Sequence, residues 1–499
     1  MGLFDFFRDK RSATAGRFPR RSYTAAATGR LFADFVANTL SADSEIRPAL
    51  RRVRDRCRDV SRNNDYARRY LQMIETNVVG DSGVRIQVRA RNADKSLDTV
   101  GNTIIERQWD YWGRRGTPTM DGKMSWLDCQ RMFISNVARD GECIVRLVET
   151  RENPWGFAIQ FIESDYLDEE YNVSVGPNGN QIRMGVEINK FGKPVAYWLL
   201  AAHPGDQQFA KSSTVKRIRV PADEILHIFL SDRSGQTRGF PWMATALTRL
   251  KMLDGYEEAE LVAARTAASK MGFFTSPDGD GYSGVDMEDY NAPIMEASPG
   301  TFEQLPKGMN FTPFDPQHPV SAFAEFEKAV LRGIASGLGV SYVSLANNLE
   351  GVSYSSIRQG AMEDRDHYKM LQQFMIEHFI DPIFRKWLIM AMSTNQVTIP
   401  VIKFDKFADN IIYRARGWNW VDPQKEINAH VIGLQNGITT MQDIASHYGR
   451  DVEEVFAQID AERELARQYG IETAFQPFGQ KLPTDAVVTG GTGGTDGTV

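Results

Sequence analysis

The chain has 499 residues, 42% apolar and 24% charged, the balance of a soluble globular protein, and at that length it should divide into several modules rather than one core. No apolar run nears the ~20 residues a bilayer crossing needs, Met1-Gly2-Leu3-Phe4-Asp5-Phe6-Phe7 lacks a signal-peptide stretch, and Cys57, Cys129 and Cys143 are too widely spaced for a zinc pattern, so a cytosolic protein with buried, reduced thiols and no membrane partner is expected. Of 58 Lys+Arg and 64 Asp+Glu, residues 1–70 hold 16 and 8, which leaves 42 against 56, an acidic body of −14 that argues against a tight, static grip on DNA.

Residues 1–44 read as a flexible basic arm, rich in Arg, Ala, Ser and Thr. From Asp43 to about Thr76 a helix is predicted, with Ile46, Leu50, Val53, Cys57 and Val60 at steps of three and four. Arg51, Arg52, Arg54, Arg56 and Arg58 crowd its remaining faces, either as a solvated surface paired with Asp55 and Asp59 or as a contact for DNA or another protein. Turn chemistry over 77–83 precedes a strand over 84–89, and helices follow at about 98–112 and 125–139, the second introduced by Ser125 with Asp128 three places on. Between Gly141 and Val220 the texture changes to short alternating strands, Glu142–Val148, Ala158–Ile162, Arg183–Ile188 and Val195–Leu200, separated by turns such as Asn178-Gly179 and Gly192-Lys193-Pro194. Glu224–Leu230 adds a strand whose His227 reads as a satisfied core histidine before it reads as a ligand.

Pro241 opens a helix running to about Lys270, some ~40 Å long. Residues 271–319 break the pattern with prolines and short strands near Thr301–Leu305 and Met309–Phe314, an inserted lobe. Helical periodicity returns with Phe323, Phe326, Val330 and Ile334 on one stripe and Glu325, Lys328 and Arg332 on another, before Gly333, Gly337 and Gly339 loosen its end. Residues 341–353 form a polar loop containing Ser344, Leu345, Ala346, Asn347, Asn348, Leu349 and Glu350. A second long helix spans Tyr354 to about Met392, with Pro382 as a kink or restart. A strand over Val401–Phe404 precedes three short helices within about 423–469 and a Gly- and Thr-rich tail. The fold class is α+β and multi-domain.

Catalytic chemistry is missing from this inventory. There is no Gly-x-x-x-x-Gly-Lys-[Ser/Thr] loop, so the chain cannot be an ATP-driven motor built on that cradle. No His-x-x-x-His pair stands beside a glutamate, and no Gly-x-Ser-x-Gly elbow occurs. Asp278, Asp280, Asp286, Glu288 and Asp289 miss the spacing of a calcium loop and read as a solvated acidic segment. No catalytic residue, metal or cofactor is expected.

The order of helix, inserted lobe, helix, loop and long helix, flanked by α+β and all-α regions, resembles the portal family of lambda-type tailed phages. Local sequence agrees at Arg62-Asn63-Asn64 and Asn77-Val78-Val79-Gly80, at Ile162-Glu163-Ser164-Asp165 and Pro194-Val195-Ala196-Tyr197-Trp198, and most strongly from His227-Ile228-Phe229 through Arg233–Trp242 into Leu253-Asp254-Gly255-Tyr256. Phe314–Pro319 and Tyr354-Ser355-Ser356-Ile357-Arg358 extend it over about 45–470. The chain departs from the family at Gly351-Val352-Ser353, where an asparagine is expected directly before the tyrosine.

The resemblance implies a structural protein, not an enzyme: a dodecameric ring with a channel for double-stranded DNA, whose partners are the terminase large subunit, a head–tail connector and the major capsid protein. It implies a wing over 45–240 and 354–415, stem helices 241–270 and 319–338, a clip over 271–318, a tunnel loop over 341–353, a helical crown over 420–470 and a tail over 471–499. Phe323, Phe326, Val330 and Ile334 would then pack the stem, and Glu325, Lys328 and Arg332 would face the channel or the outside. Asp278, Asp280, Phe302, Glu303 and Lys307 would dock motor or connector, and Arg450, Arg463 and Arg467 would meet packaged DNA. The virion is the implied location, with the host cytoplasm during assembly. An adaptor or scaffold without a channel, and an enzyme using the acidic loop, are the alternatives.

Overall fold

The computed structural model describes residues 30, 37, 39–176, 178–206, 216–268, 272–275, 310–313, 323–350, 353–418, 423–447, 450 and 452–470. Most of the arm, the strand near Thr301–Leu305 and the tail lie outside them.

The single helix expected from Asp43 to Thr76 is three: α1 (Ala42–Ile46), α2 (Leu50–Asn63) and α3 (Asp65–Val78). Pro48 lacks the N–H that would carry α1 into α2. Asn64 is extended, and its side chain accepts the Ala67 N–H at 3.1 Å, so one residue ends α2 and caps α3. Next come β1 (Arg85–Val88), α4 (Thr99–Trp112) and α5 (Trp126–Asp140). Ser125 and Asp128 make a reciprocal capping box on α5, and Gly141, at φ 89°, ends it in the left-handed conformation.

The strand region holds two antiparallel sheets. β2 (Cys143–Glu149) and β3 (Phe157–Ile162) pair with each other. The span expected as one strand over Arg183–Ile188 is β4 (Gln181–Arg183) and β5 (Val186–Ile188), parted by Met184 and Gly185, both at positive φ. β6 (Pro194–Leu200) and β7 (Arg217–Pro221) complete the order β4-β5-β6-β7, and β8 (Ile225–Ile228) adds to the free side of β2 to give β3-β2-β8.

After a short 3-10 turn at Trp242–Thr245, α6 runs Leu247–Ala268. β9 (Gly272–Thr275) and β10 (Asn310–Pro313) pair antiparallel and so bring the two ends of the inserted lobe together. α7 (Phe323–Leu338) returns along α6. Gly333 and Gly337 do not loosen it, contrary to expectation: they lie inside the helix, Gly333 beside the Arg249 side chain. Thr245 donates to the Gly337 carbonyl at 2.7 Å, and Gly339, at φ 68°, terminates the helix.

The polar loop contains α8 (Tyr342–Ala346). α9 (Tyr354–Met375) passes through a π-helical turn, Ile376–Ile380, into α10 (Asp381–Ser393), whose first turn holds Pro382. The wider turn absorbs the proline's missing N–H and aims Phe379 into the core. There Phe379 stacks on Phe133 at 4.4 Å and on Trp126 at 5.3 Å, beside Trp109, Trp112, Phe384 and Trp387. The expected strand at Val401–Phe404 is a 3-10 turn followed by α11 (Phe404–Ala408), because Phe404, Phe407 and Ala408, at i, i+3 and i+4, turn to the same core; the strand is β11 (Ile411–Arg414), antiparallel to β1. α12 (Pro423–Gln435), α13 (Met441–His447) and α14 (Val452–Gln468) follow as three short helices. Among the described residues no helix is long and apolar enough to cross a membrane.

These pieces meet on a buried charge. The Glu142 side chain is fully buried, as is Arg238, and Arg54 is 1% exposed. Glu142 accepts from Arg54 Nη2 at 2.9 Å, from Arg238 Nε at 2.9 Å and from the Gly239 N–H at 3.0 Å, and His227 Nε2 lies 2.9 Å away. Arg238 also donates to the carbonyls of Ser164, Leu167 and Met184. Burial pushes the Glu142 carboxyl up, but the Arg238 charge and the hydrogen bonds from His227 and Arg238 outweigh it and hold the group well below the usual carboxylate range.

Arg54 and Arg58 are therefore neither a solvated face nor a docking surface. Arg58 clamps Asp140 at 3.0 Å and Asp165 at 2.5 Å, Arg51 reaches Glu169 at 2.6 Å, and only Arg52 and Arg56 of the five point outward without such a carboxylate. Cys57, Cys129 and Cys143 are free and buried, and burial pushes the Cys57 thiol up to about 12.

Removing the carboxylate leaves buried Arg238 with carbonyl partners only and Arg54 with the more distant Asp165 and Glu169, at 3.7 and 3.9 Å, a loss of about 3–5 kcal/mol. Glu142→Gln should therefore lower the urea unfolding midpoint strongly, whereas Glu163→Gln, at a side chain 66% exposed, should leave it near wild type; equal midpoints for both variants would contradict the role of the cluster.

Candidate functional site at the paired helices and their loop

Helices α6 and α7 lie side by side, and aromatic side chains meet at their contact. Tyr256 stacks on Phe323 at 5.7 Å and meets Phe326 edge-on at 5.1 Å. The apolar stripe of α7 winds from outside to inside along the helix: Phe326 is 51% exposed, Phe323 and Val330 are half-buried, and Ile334 is fully buried in this chain's own core. Ile334 is consequently occupied within the subunit. The polar stripe is not uniform either. Glu325 is exposed and sits 3.4 Å from Lys328, while Arg332 lies over the Tyr342 ring at 5.5 Å.

Tyr66 of α3 ties both helices to the strand-bearing region, with its hydroxyl 3.3 Å from a Glu257 oxygen and 3.4 Å from a Glu327 oxygen. Burial pushes the Glu257 carboxyl above the ordinary glutamate value; the Tyr66 hydrogen bond opposes this, and the charges of Glu327, Asp254 and Asp65 reinforce it.

The loop after α7 is held at its start and free at its tip. Asp364 of α9 accepts from the Ser341 N–H at 2.9 Å and its hydroxyl at 2.7 Å, and Arg69 reaches the Ser344 carbonyl at 3.4 Å. Leu345 is 2% exposed, so the centre of the expected loop is anchored in the core with Ala346 packed beside it. Asn347, at φ 51°, ends α8 in the left-handed region, where asparagine is tolerated. Asn348 donates to the Tyr342 hydroxyl at 3.2 Å and accepts the Glu350 N–H at 2.9 Å. Leu349 is 65% exposed and Glu350 is exposed, so the outward tip is Asn347–Glu350.

The remaining expected site residues are dispersed. Asp278, Asp280, Phe302, Glu303 and Lys307 lie outside the described residues. Arg450 pairs with Gln458 and Arg467 with Glu464 at 3.3 Å, both exposed, and Arg463 is half-buried. Sequence reasoning missed Tyr66, Asp364 and Glu257, each ordinary at its own helix position; the join appears only when helices distant in sequence meet.

Among the described residues one group has metal-ligand chemistry, Glu163, Asp165 and His203, with candidate atoms within 4.8 Å of one another. Its atoms face polar and charged neighbours of the same chain. The Gly205 N–H donates to His203 Nδ1 at 3.0 Å, which places the ring proton on Nε2, facing Glu163 at 3.1 Å, and Arg58 occupies the Asp165 oxygen at 2.5 Å. A cation there would displace a proton and a guanidinium, so the cluster reads as an ion-pair extension of the Glu142 network.

The geometry thus contains bracing and packing, with no nucleophile poised beside a base among the described residues. Residues 28–372 match the family model for phage portal protein, lambda family, and the chain belongs to that family. It is 36% identical over 457 residues to a probable portal protein of Halomonas phage phiHAP-1, covering 90% of this chain and 87% of that one. It is 23% identical over 466 residues to portal protein B of Escherichia phage lambda, covering 87% of each. Among solved structures it is similar to a chain of the neck of a native gene transfer agent particle computed with C12 symmetry, at 13% identity and a TM-score of 0.41, covering 85% of this chain and 99% of that one. The protein is a structural portal component, not an enzyme.

Glu257 binds its proton more tightly in the folded protein than in the unfolded chain. Its favourable contribution is therefore full below the ordinary glutamate pKa, about 4.3, and is lost as pH rises through the raised folded value. Glu257→Gln should have a melting temperature close to wild type near pH 4 and above it at pH 7; a difference that does not change with pH would contradict this reading of the acid pair.

Proposed function

We propose that the protein closes into a dodecameric ring at one capsid vertex and that double-stranded DNA is packaged and ejected through its axial channel. In this reading the wing comprises 45–240 and 354–415, the stem 241–270 and 319–338, the clip 271–318, the tunnel loop 341–353 and the crown 420–470. The clip docks the terminase large subunit during packaging and the head–tail connector afterwards, and the ring meets the major capsid protein. Assembly occurs in the host cytoplasm, and the finished ring resides in the virion.

The observation that carries this reading is the outer surface of the paired helices. Met252 is 70% exposed, Leu261 66% and Val262 54% on α6, and Phe326 is 51% exposed on α7. Large apolar side chains on both members of a helical pair, on surfaces the subunit does not cover itself, suit a ring in which each subunit offers two different patches. A second feature supports the channel. The tip Asn347–Glu350 carries no cation, and a wall without dense positive charge releases a moving polyanion because few counterions are exchanged.

Electron microscopy of the purified protein, classified in end-on views, is expected to give annuli with an axial hole wide enough for duplex DNA. Leu261→Asp should reduce the ring fraction at unchanged circular dichroism, because a carboxylate buried between subunits lacks a partner. A monodisperse monomer or compact dimer at high concentration would return the adaptor reading.

A further inference from the structure

The three helices after β11 lack a core of their own. α5, with 15 residues, buries eight of them, whereas α14, with 17, buries none among its described residues. Over 427–470 the one buried side chain among the described residues is Ala445 of α13. Helices of 13, 7 and 17 residues draw most of their stability from packing an apolar face, since in water lengths below ~12–15 residues are marginal alone. The subunit supplies little of that packing: α13 lies on α14, and Arg89 pairs with Glu453, in the first turn of α14, at 2.9 Å.

The apolar side chains left outside fall on separate faces. Ile427 and Val431, four apart, share a face of α12, and both are exposed. Leu465 and Tyr469 share a face of α14 by the same spacing, and Phe456, about two and a half turns before Leu465, lies on the opposite side; all three are exposed. The charge of α14 rules against a nucleic-acid partner. Its five carboxylates, Glu453, Glu454, Asp460, Glu462 and Glu464, stand against Arg463 and Arg467, a net −3 (2 minus 5) that repels a polyanion. Arg467 is paired with Glu464 at 3.3 Å, and Arg450 donates to Gln458.

We propose that these helices share one core with the same helices of a second copy of the chain, the Ile427 and Val431 face of α12 meeting the Leu465 and Tyr469 face of α14 in the next subunit, so that ring closure stabilises them. The proposal rests on the portal reading above. Identical subunits joined head to tail need two different faces that fit each other, and a closed ring leaves neither face uncovered on any copy. An aliphatic pair against a leucine and a tyrosine has the composition of an interface core, depleted of charge and containing an aromatic side chain. The exposed apolar side chains of α6 and α7 call for the same kind of contact, so one head-to-tail packing covers both regions. The helices after β11 then differ from α5: their stability belongs to the assembly, and that of α5 to the subunit.

The test uses the full chain carrying Val431→Cys and Leu465→Cys together, and each alone, oxidised with diamide, run on non-reducing gels and viewed by electron microscopy. Both positions are exposed, and the native Cys57, Cys129 and Cys143 are buried with their thiols pushed up by burial, which keeps them out of the reaction. The double variant should give a ladder of covalent oligomers beyond the dimer that a reductant collapses, and neither single variant should pass the dimer. In wild-type rings the α14 amides should exchange with solvent at least about tenfold more slowly than in dissociated subunits, while α5 amides exchange alike in both. Rings that yield no ladder, a disulfide that stays at monomer mass, or α14 amides equally protected in dissociated subunits would overturn the shared core and leave the portal reading intact. Absence of rings in the wild type would reject the portal reading, and the ladder would still decide whether two chains meet through these helices.

Discussion

Everything in the strand-bearing half of the protein is arranged around one carboxylate that water cannot reach. Glu142 stands where α5 ends and β2 begins, and its oxygens are shared by Arg54 of α2, Arg238 from the segment before α6, and His227 of β8. Burying such a group is unfavourable unless each lone pair is met, and meeting them requires every one of these segments to be in place together. Arg238 extends the demand to the carbonyls at Ser164, Leu167 and Met184, so the turn between β4 and β5 is fixed by the same cation. The backbone geometry is equally exacting. A Cβ on Gly239 would fall 2.2 Å from the Gly141 carbonyl oxygen and one on Gly141 2.3 Å from the Phe240 carbonyl carbon, so the two chain segments can cross at Glu142 only as glycines.

From that anchor α3 carries rigidity to the paired helices and to the long helix. Asn64 caps it, Tyr66 reaches Glu257 and Glu327, Arg69 meets the loop through Ser344, and its C-terminal end supplies carbonyls to Gln372. One helix thereby contacts α6, α7, α8 and α9. Its attachments differ in kind. The aromatic core beneath α9 and α10 is apolar and pH-independent, whereas the link to α6 runs through an acid whose proton is favoured by burial. The paired helices are therefore joined to the rest of the subunit by the more adjustable of the two.

Much of this was legible in the sequence, and the failures have physical causes. Periodicity located α4, α5 and the strand region closely, because each buries one face at its own period, and the capping pair Ser125 and Asp128 marked the start of α5. His227 was read correctly as a satisfied core group. The split of the first helix at Asn64 went unread because an extended residue between two amphipathic stretches barely disturbs their spacing. Arg54 and Arg58 were misread because an arginine among four others on a helix looks solvated, and its burial depends on Glu142 and Asp165, which lie far away in sequence. The loop was placed correctly in order but not in detail, since Leu345 and Asp364 pin its first half and leave only Asn347–Glu350 outward.

The account requires that the outward tip of the loop and the exposed apolar surfaces of the paired helices find their places only in a ring. A three-dimensional reconstruction of the assembled particle by electron cryomicroscopy tests this most directly. The account predicts α6 and α7 stacked around the axis with Met252, Leu261 and Phe326 between subunits and Asn347–Glu350 at the narrowest part of the lumen. A ring that turns that loop to its outer rim, or that leaves those side chains facing solvent, would contradict it.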